Sequence, residues 1–509
     1  MNIPAHTLVM GNAEPVEHSA APVLSFDDFR RTVVDSVAEG RRVGALFAAP
    51  QGDEQLRLYG VLIDDLAGAL HVTSTVLPPA SFPSLTQECP QVHLFEREIA
   101  EQFGIEPVGH PWLKPVRFHA TYTGRPQPWA QADGSAPMIG VTDFFRVEGD
   151  EVHEVAVGPV HAGIIDPGHF RFQCHGEDVF HLEISLGYQH RGIERRLSGG
   201  PDRRTVHYME TLAGDTTIGH TLAYCQAVEA LAGINVPPRA LVLRGVALEL
   251  ERLANHVGDL GALAGDVGFL PTASFCGRLR GDYLNMTAAI CGNRFGRDLV
   301  RPGGLLFDLD PDQVKVLLAR LSDAERDTAW AVNLLWSTPS VMARFEDTGR
   351  LSRQSAEEIG LVGPAARACG LSRDVRHDVP AGIFQFSQVP VSTWGTGDVF
   401  ARAYVRWLEV QQSIRFVREH LQALPGGPII AAPRDLAPGR MVVSLVEGWR
   451  GEICHVAITG PDGQFTRYKV VDPSFHNWFG LALALRGQQI SDFPLCNKSF
   501  SLSYSGHDL

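Results

Sequence analysis

Between Asp398 and Leu424 the apolar residues Phe400, Tyr404, Trp407, Leu408, Ile414, Val417 and Leu421 recur at three- and four-residue spacing, while Arg402, Arg406, Glu409, Arg415 and Glu419 take other faces. That period specifies a long helix with one buried stripe, which must pack against other elements. Leu241 to Leu263 and Pro311 to about Leu335 fit two more helices, the second with Asp312 in its first turn, where the helix dipole favours a carboxylate. Shorter runs are β-like: Arg57-Leu58-Tyr59-Gly60-Val61-Leu62-Ile63, Leu70-His71-Val72-Thr73, and segments between Val155 and Leu182 broken by Gly158-Pro159 and Pro167-Gly168. The chain is therefore expected to be α+β, a small α+β domain joined to a large, mainly helical bundle with β-rich ends.

A chain of 509 residues exceeds one ordinary core. The expected division is a tail over 1–20, a small domain over 21–122, a linker over 123–150 and a large domain over 151–509. The linker contains TGRPQPWAQADGSAPM, rich in Pro, Gly, Gln and Ala and without period. A net charge of −14 and the lack of any dense Lys/Arg run exclude a phosphate-backbone partner, so no nucleic acid is expected. The start, MNIPAHTLVMGNAEPVEHSA, does not read as a signal peptide. No window approaches the roughly 18 uninterrupted apolar residues of a membrane span. The expectation is a cytoplasmic, peripheral chain that reaches a membrane only through partners.

The eight cysteines never come closer together than fifteen residues, and no CxxC exists. Zinc and iron–sulfur sites usually draw on close pairs, because a tight turn can aim two thiolates at one metal. Reduced, buried thiols are expected instead. No cofactor bound by this chain is predicted.

Several short stretches carry chemistry. Glu96-Arg97-Glu98, followed by Phe103-Gly104-Ile105 and Gly109-His110-Pro111, reads alone as a surface helix end and a Pro-fixed turn. Tyr188-Gln189-His190-Arg191-Gly192-Ile193-Glu194 places His, Arg and Glu within five residues, which alone fits a buried salt-bridge corner. Gly158-Pro159-Val160-His161, Glu249-Leu250-Glu251-Arg252-Leu253-Ala254-Asn255-His256, Arg301-Pro302-Gly303-Gly304, Gly363 to Gly370, Gly397-Asp398 with Arg402, and Glu447-Gly448-Trp449-Arg450-Gly451-Glu452 follow in order. Buried arginines and carboxylates of this kind can be structural or can relay protons.

Taken together, these stretches resemble the large subunits of complex I (49 kDa type) and of group 4, energy-converting [NiFe] hydrogenases of formate hydrogenlyase and hydrogenase-4 type. The early ERE, FGI and GHP pieces resemble the 30 kDa complex I subunit, so the chain looks like a fusion of the two over about residues 85 to 509. Trp449 stands where the family usually has proline. The resemblance implies a core subunit on the inner face of the cell membrane, in a complex coupling electron transfer to ion translocation. It also implies a partner small subunit carrying a terminal [4Fe–4S] cluster, and antiporter-like membrane subunits.

The hydrogenases hold nickel and iron with four cysteine thiolates, a soft donor set suited to both metals. Set against their pattern, Ala213 and Thr216 occupy the first two cysteine places, while Gly214 and His220 match; the last two places fall on Ser503 and Gly506, and Asp508 is kept. Cys496 lies seven residues before Ser503 with no cysteine partner nearby. No NiFe site is expected. The complex I alternative makes quinone a possible ligand, but its His and Tyr places align with Pro167 and Gly214; His161, His169, Tyr208, His220 and Tyr224 could substitute or could be ordinary buried residues. His220 and Arg450 are the catalytic candidates. His190, Arg191, Glu194 and Asp508 are candidates for a cavity wall or proton relay. A non-catalytic docking subunit is the remaining alternative.

Overall fold

The computed structural model describes residues 6–52, 55–129 and 138–509. The first sheet is an antiparallel meander of Arg42–Gln51, Gln55–Asp64 and Ala69–Leu77. The helix Phe26–Ala38 packs Phe29 and Val33 onto it, and the Ser25 side chain caps that helix by accepting from the Asp28 N–H. Both β-like runs seen in the sequence fall inside these strands.

The expected tail is structured where it is described. Leu8–Met10 pairs with Ala69–Leu77, and Val16–Glu17 pairs with Arg440–Gly448 of a different sheet. Between them the Asn12 side chain donates to the carbonyls of Val379 (2.7 Å) and Leu445 (2.9 Å) and accepts from the Leu445 N–H (2.8 Å). Two or three residues are too few to show a period, and only the open strand edges they satisfy make them strands. Residues 1–5 and, within the expected linker, 130–137 lie outside the described residues.

A second correction concerns Glu96-Arg97-Glu98, which lies within the helix His93–Phe103 and is buried, not on the surface. Its charges are all engaged. Glu96 accepts from Ser84 Oγ, Leu85 N and Thr86 Oγ1; Arg97 donates to the carbonyls of Lys114 and Pro115; Glu98 pairs with Arg117 and Lys469. Burial is tolerated because each charge is compensated.

The large domain contains a bundle of Pro238–Asp266, Leu270–Cys291, Pro311–Trp336 and Val399–Gln422. Asp398 caps the last of these through the Ala401 N–H, and Asp310 with Gln313 forms a reciprocal capping box at the third. A three-stranded sheet, Val152–Val157, His169–His175 and Asp178–Ser185, lies at one end. The sheet of Arg440–Gly448, Gly451–Thr459 and Phe465–Val471 connects the two parts of the chain. One face covers the helix Thr217–Ala232; the other supplies Met441, Val443, Val456 and Ile458 to the same apolar core as Phe29, Phe47 and Phe95. The small and large parts therefore share a core. All eight cysteines are buried thiols.

Candidate functional site

A cavity of about 620 Å³ opens between the loop after Val152–Val157, the C-terminal half of Pro238–Asp266 and the helix Phe493–Phe500. Ile164, Ile165, Phe170, Trp449 and Tyr504 give it an apolar and aromatic wall, interrupted by Asp215, Asp259, Asp266 and Arg450. Gly448 pairs with Gly451, so Trp449 and Arg450 are the two turn residues of a tight hairpin and project together. The Arg450 guanidinium lies over the Trp449 ring, 3.9 Å from its centroid.

Arg450 also grips Asp215 with both terminal nitrogens, at 2.6 and 2.8 Å, while Nη1 reaches Thr216 Oγ1 (3.1 Å) and Nε donates to the Ser501 carbonyl (2.5 Å). Such a fork fixes the guanidinium plane as well as its position. Burial pushes the Asp215 carboxyl up, but the Arg450 charge outweighs it and holds the group below its ordinary value. Nearby, Asp259 accepts from Arg406 (3.1 Å), Lys498 (2.8 Å) and Ser501 Oγ (2.9 Å).

Behind this wall runs a buried hydrogen-bonded chain. His220 Nε2 lies 2.9 Å from Asp472 Oδ2, His220 Nδ1 lies 3.1 Å from His455 Nε2, and His455 Nδ1 lies 2.8 Å from the Tyr468 hydroxyl. One consistent assignment has Tyr468 donating to His455, His455 to His220 and His220 to Asp472. Burial holds His455 well below its ordinary value, and so neutral. Glu251 accepts the backbone N–H groups of Ile218 (2.7 Å) and Gly219 (3.2 Å) at the start of Thr217–Ala232; burial pushes its carboxyl up to about 8.

Comparison with known proteins agrees with this architecture. Residues 49–129 match the respiratory-chain NADH dehydrogenase 30 kDa subunit family, and residues 266–441 the 49 kDa subunit family. Formate hydrogenlyase subunit 5 of Escherichia coli (strain K12) is 31% identical over 445 residues, which are 84% of this chain and 77% of that protein. The carbon monoxide-induced hydrogenase of Rhodospirillum rubrum is 32% identical over 344 residues, 67% of this chain and 95% of its own length. The chain belongs to this family. An NADH-quinone oxidoreductase subunit of Dehalococcoides mccartyi, from the complex I branch, is 32% identical over 342 residues, 66% of this chain and 92% of its own.

Hydrogenase members of the family hold a NiFe centre, and the four matching places here can be tested against it. Ala213, Thr216, Ser503 and Gly506 are all buried and offer no thiolate. Thr216 Oγ1 is bound to Arg450, and Ser503 Oγ accepts the Gly506 N–H (2.9 Å) as the cap of Tyr504–Asp508. A Cβ built on Gly506 would lie 2.6 Å from Asp472 Cγ, so the Asp472 carboxylate already fills that space. The residues present do not fit the centre: soft donors are absent, and a carboxylate and a guanidinium stand in their place.

Of the residues singled out from sequence, Arg450 lines the cavity and His161 lies on its rim, with Nε2 2.9 Å from the Gly168 carbonyl. His220 sits behind the wall in the buried chain. The others lie apart. Asp508 accepts the Gly187 and Gln189 N–H groups (2.9 Å each), and His190 Nδ1 lies 2.7 Å from the Asp508 carbonyl, which pins the C-terminus. Arg191 donates to the carbonyls of Thr211 and Leu212, and Glu194 accepts from Lys469 (2.9 Å) and the Val470 N–H (3.0 Å). Sequence reasoning missed Asp215, Asp259 and Asp472. Asp215 could have been found by its place between Ala213 and Thr216; for Asp472 no local signal exists, since only folding brings it to Gly506.

Proposed function

We propose that this chain is the core large subunit of a membrane-associated, hydrogenase-related complex that couples electron transfer to ion translocation, and that it works without a NiFe centre. The observation that carries this reading is the Asp472 carboxylate in the space beside Gly506, with Arg450 against Thr216. The names of the relatives, formate hydrogenlyase and NADH-quinone oxidoreductase subunits, support membership of such a complex. The expected partners are a small subunit carrying a [4Fe–4S] cluster and antiporter-like membrane subunits, which would hold this chain at the inner face of the cell membrane. Among the described residues no helix is long and apolar enough to cross a membrane. Elemental analysis of the purified complex tests the reading: no nickel is expected, and stoichiometric nickel would sink it.

A second reading, quinone reduction of complex I type, is favoured by the apolar and aromatic wall of the cavity around the Arg450–Asp215 pair. In it Arg450 would stabilise negative charge growing on a bound oxygen, with His220 as a buried proton-bearing group behind it. Quinone-dependent oxidation by the intact complex, lost on Arg450→Ala or His220→Ala, is the expected result. Unchanged turnover in both variants, with loss of assembly when the chain is deleted, would instead point to a docking subunit.

A further inference from the structure

The charges of the family motifs form one closed, buried network that neither reading above uses. Arg252 pairs with Glu249 (3.1 Å) and Glu409 (3.3 Å), and Arg376 pairs with Glu249 (3.0 Å) and Asp374 (2.6 Å). Arg367 pairs with Glu409 (2.7 Å), Glu447 (2.7 Å) and Asp374 (3.5 Å). Four carboxylates thus face three guanidiniums, and all seven groups are buried. Fully ionised, the network would carry a surplus negative charge in a low-dielectric interior, where an uncompensated charge is costly. The neighbouring Arg406 does not remove the surplus by direct pairing, because it is committed to Asp259. One bound proton removes it.

The contacts single out where that proton resides. Glu249 is held by two guanidiniums and by Ser413 Oγ (2.6 Å), Asp374 by two guanidiniums and the Arg376 N–H, and Glu409 by two guanidiniums and His256 (2.8 Å). Glu447 has a single guanidinium, Arg367, and the Val375 N–H at 3.1 Å. Across its strand pair stands another buried carboxylate, Glu452, which is taken up by Arg42. Burial pushes the Glu447 carboxyl up to about 7; Arg367, Arg252 and Arg376 oppose that and Asp374 reinforces it. His256, the other group able to take a proton, is held down to about 4 by burial.

Glu447 also has a route to solvent. With Arg376 it lines a void of about 10 Å³, room for about one water molecule, whose other walls include Gln226 and Phe384. Gln226 and Phe384 also line a separate cavity of about 420 Å³, at whose edge Phe386 is 79% exposed. At the opposite end of the network, His256 packs edge-on against Trp449 in the wall of the 620 Å³ cavity, with ring centroids 6.1 Å apart.

We propose that Glu447 is a proton-loading site, which holds the one exchangeable proton of this network and takes it from solvent through the 420 Å³ cavity and the void beside Phe384. Its charge state is then felt at the 620 Å³ cavity through Arg367, Glu409 and His256. The proposal stands independently of the identity of the redox partner.

Infrared difference titration of the purified full chain between about pH 6 and 8 tests it. The wild type should show a buried carboxyl stretch that fades as pH rises through about 7. That band should vanish in Glu447→Gln and persist in Glu251→Gln. Phe384→Trp, which fills the void, should slow hydrogen–deuterium exchange of the band by tenfold or more. Absence of the band in the wild type, its persistence in Glu447→Gln, or its loss in Glu251→Gln would overturn the proposal. If Glu447→Gln does not fold, the exchange measurement decides, and an unchanged rate in Phe384→Trp overturns it.

Discussion

The Glu249–Arg252–Arg367–Glu409–Glu447 network and the wall around Arg450 lie on either side of Trp449, yet they treat the family's motifs in opposite ways. In the network every motif charge is kept and every partner is in place. At the wall the four thiolate places are replaced, and the space beside one of them is refilled by a carboxylate from a distant strand end. The difference follows from energetics. Removing one member of a buried ion network strands the others without solvent, whereas a lost metal ligand can be compensated by whichever polar group reaches the gap.

The contrast is broken most directly at Arg367, which three carboxylates share. Arg367→Met should lower stability by roughly 3–5 kcal/mol in chemical denaturation. Arg367→Met combined with Glu409→Gln should lose less than the single change, because one stranded charge is then removed. A double variant as unstable as the sum of its parts would show that the network is not one unit.

Acid should attack the same network. His256 is held from 6.5 down to about 4, chiefly by burial, so the folded chain binds its proton less readily than the unfolded chain does. Its contribution is therefore present above pH 6.5 and is lost as pH falls toward 4. That span corresponds to roughly 3 kcal/mol. Urea midpoints measured from about pH 7 to 4.5 should fall more steeply in the wild type than in His256→Gln.

The wall should tolerate change better, except where space is already taken. Gly506→Cys should cost roughly 1–3 kcal/mol, since the new Cβ must displace the Asp472 carboxylate. Part of that loss should return in Gly506→Cys with Asp472→Ala. A Gly506→Cys chain as stable as the wild type would show that the carboxylate moves aside freely.

The smallest expected effect is at the Arg450–Asp215 pair, where the Asp215 side chain is 33% exposed and water screens the charge. A double-mutant cycle of Arg450→Ala and Asp215→Ala should give a coupling of about 1 kcal/mol. A coupling near that of the buried network would mean that the cavity wall is as closed as the interior.

Much of this arrangement could be read from the chain. Phe400, Trp407, Ile414 and Leu421 specified a long helix by period alone, and its start at Asp398 agrees with the cap found there. His190, Arg450 and the other motif residues identified the family. The strands within residues 8–17 were hidden because their pairing partners are distant in sequence. Glu96-Arg97-Glu98 looked superficial because nothing local showed that Ser84, Arg117 and Lys469 would compensate it. Glu447 stood within one of the motifs, but its fewer partners became visible only when the contacts of all four carboxylates could be compared.

Helices, family and the loss of four thiolates were legible before folding, because periodicity and residue identity are local properties. What stands at the lost ligand places, where the cavity lies and which carboxylate faces a water-sized void were settled by the folded chain. Those depend on groups brought together from positions hundreds of residues apart, such as Gly187 with Asp508 and His220 with Asp472. Burial and ion pairing then set their charge.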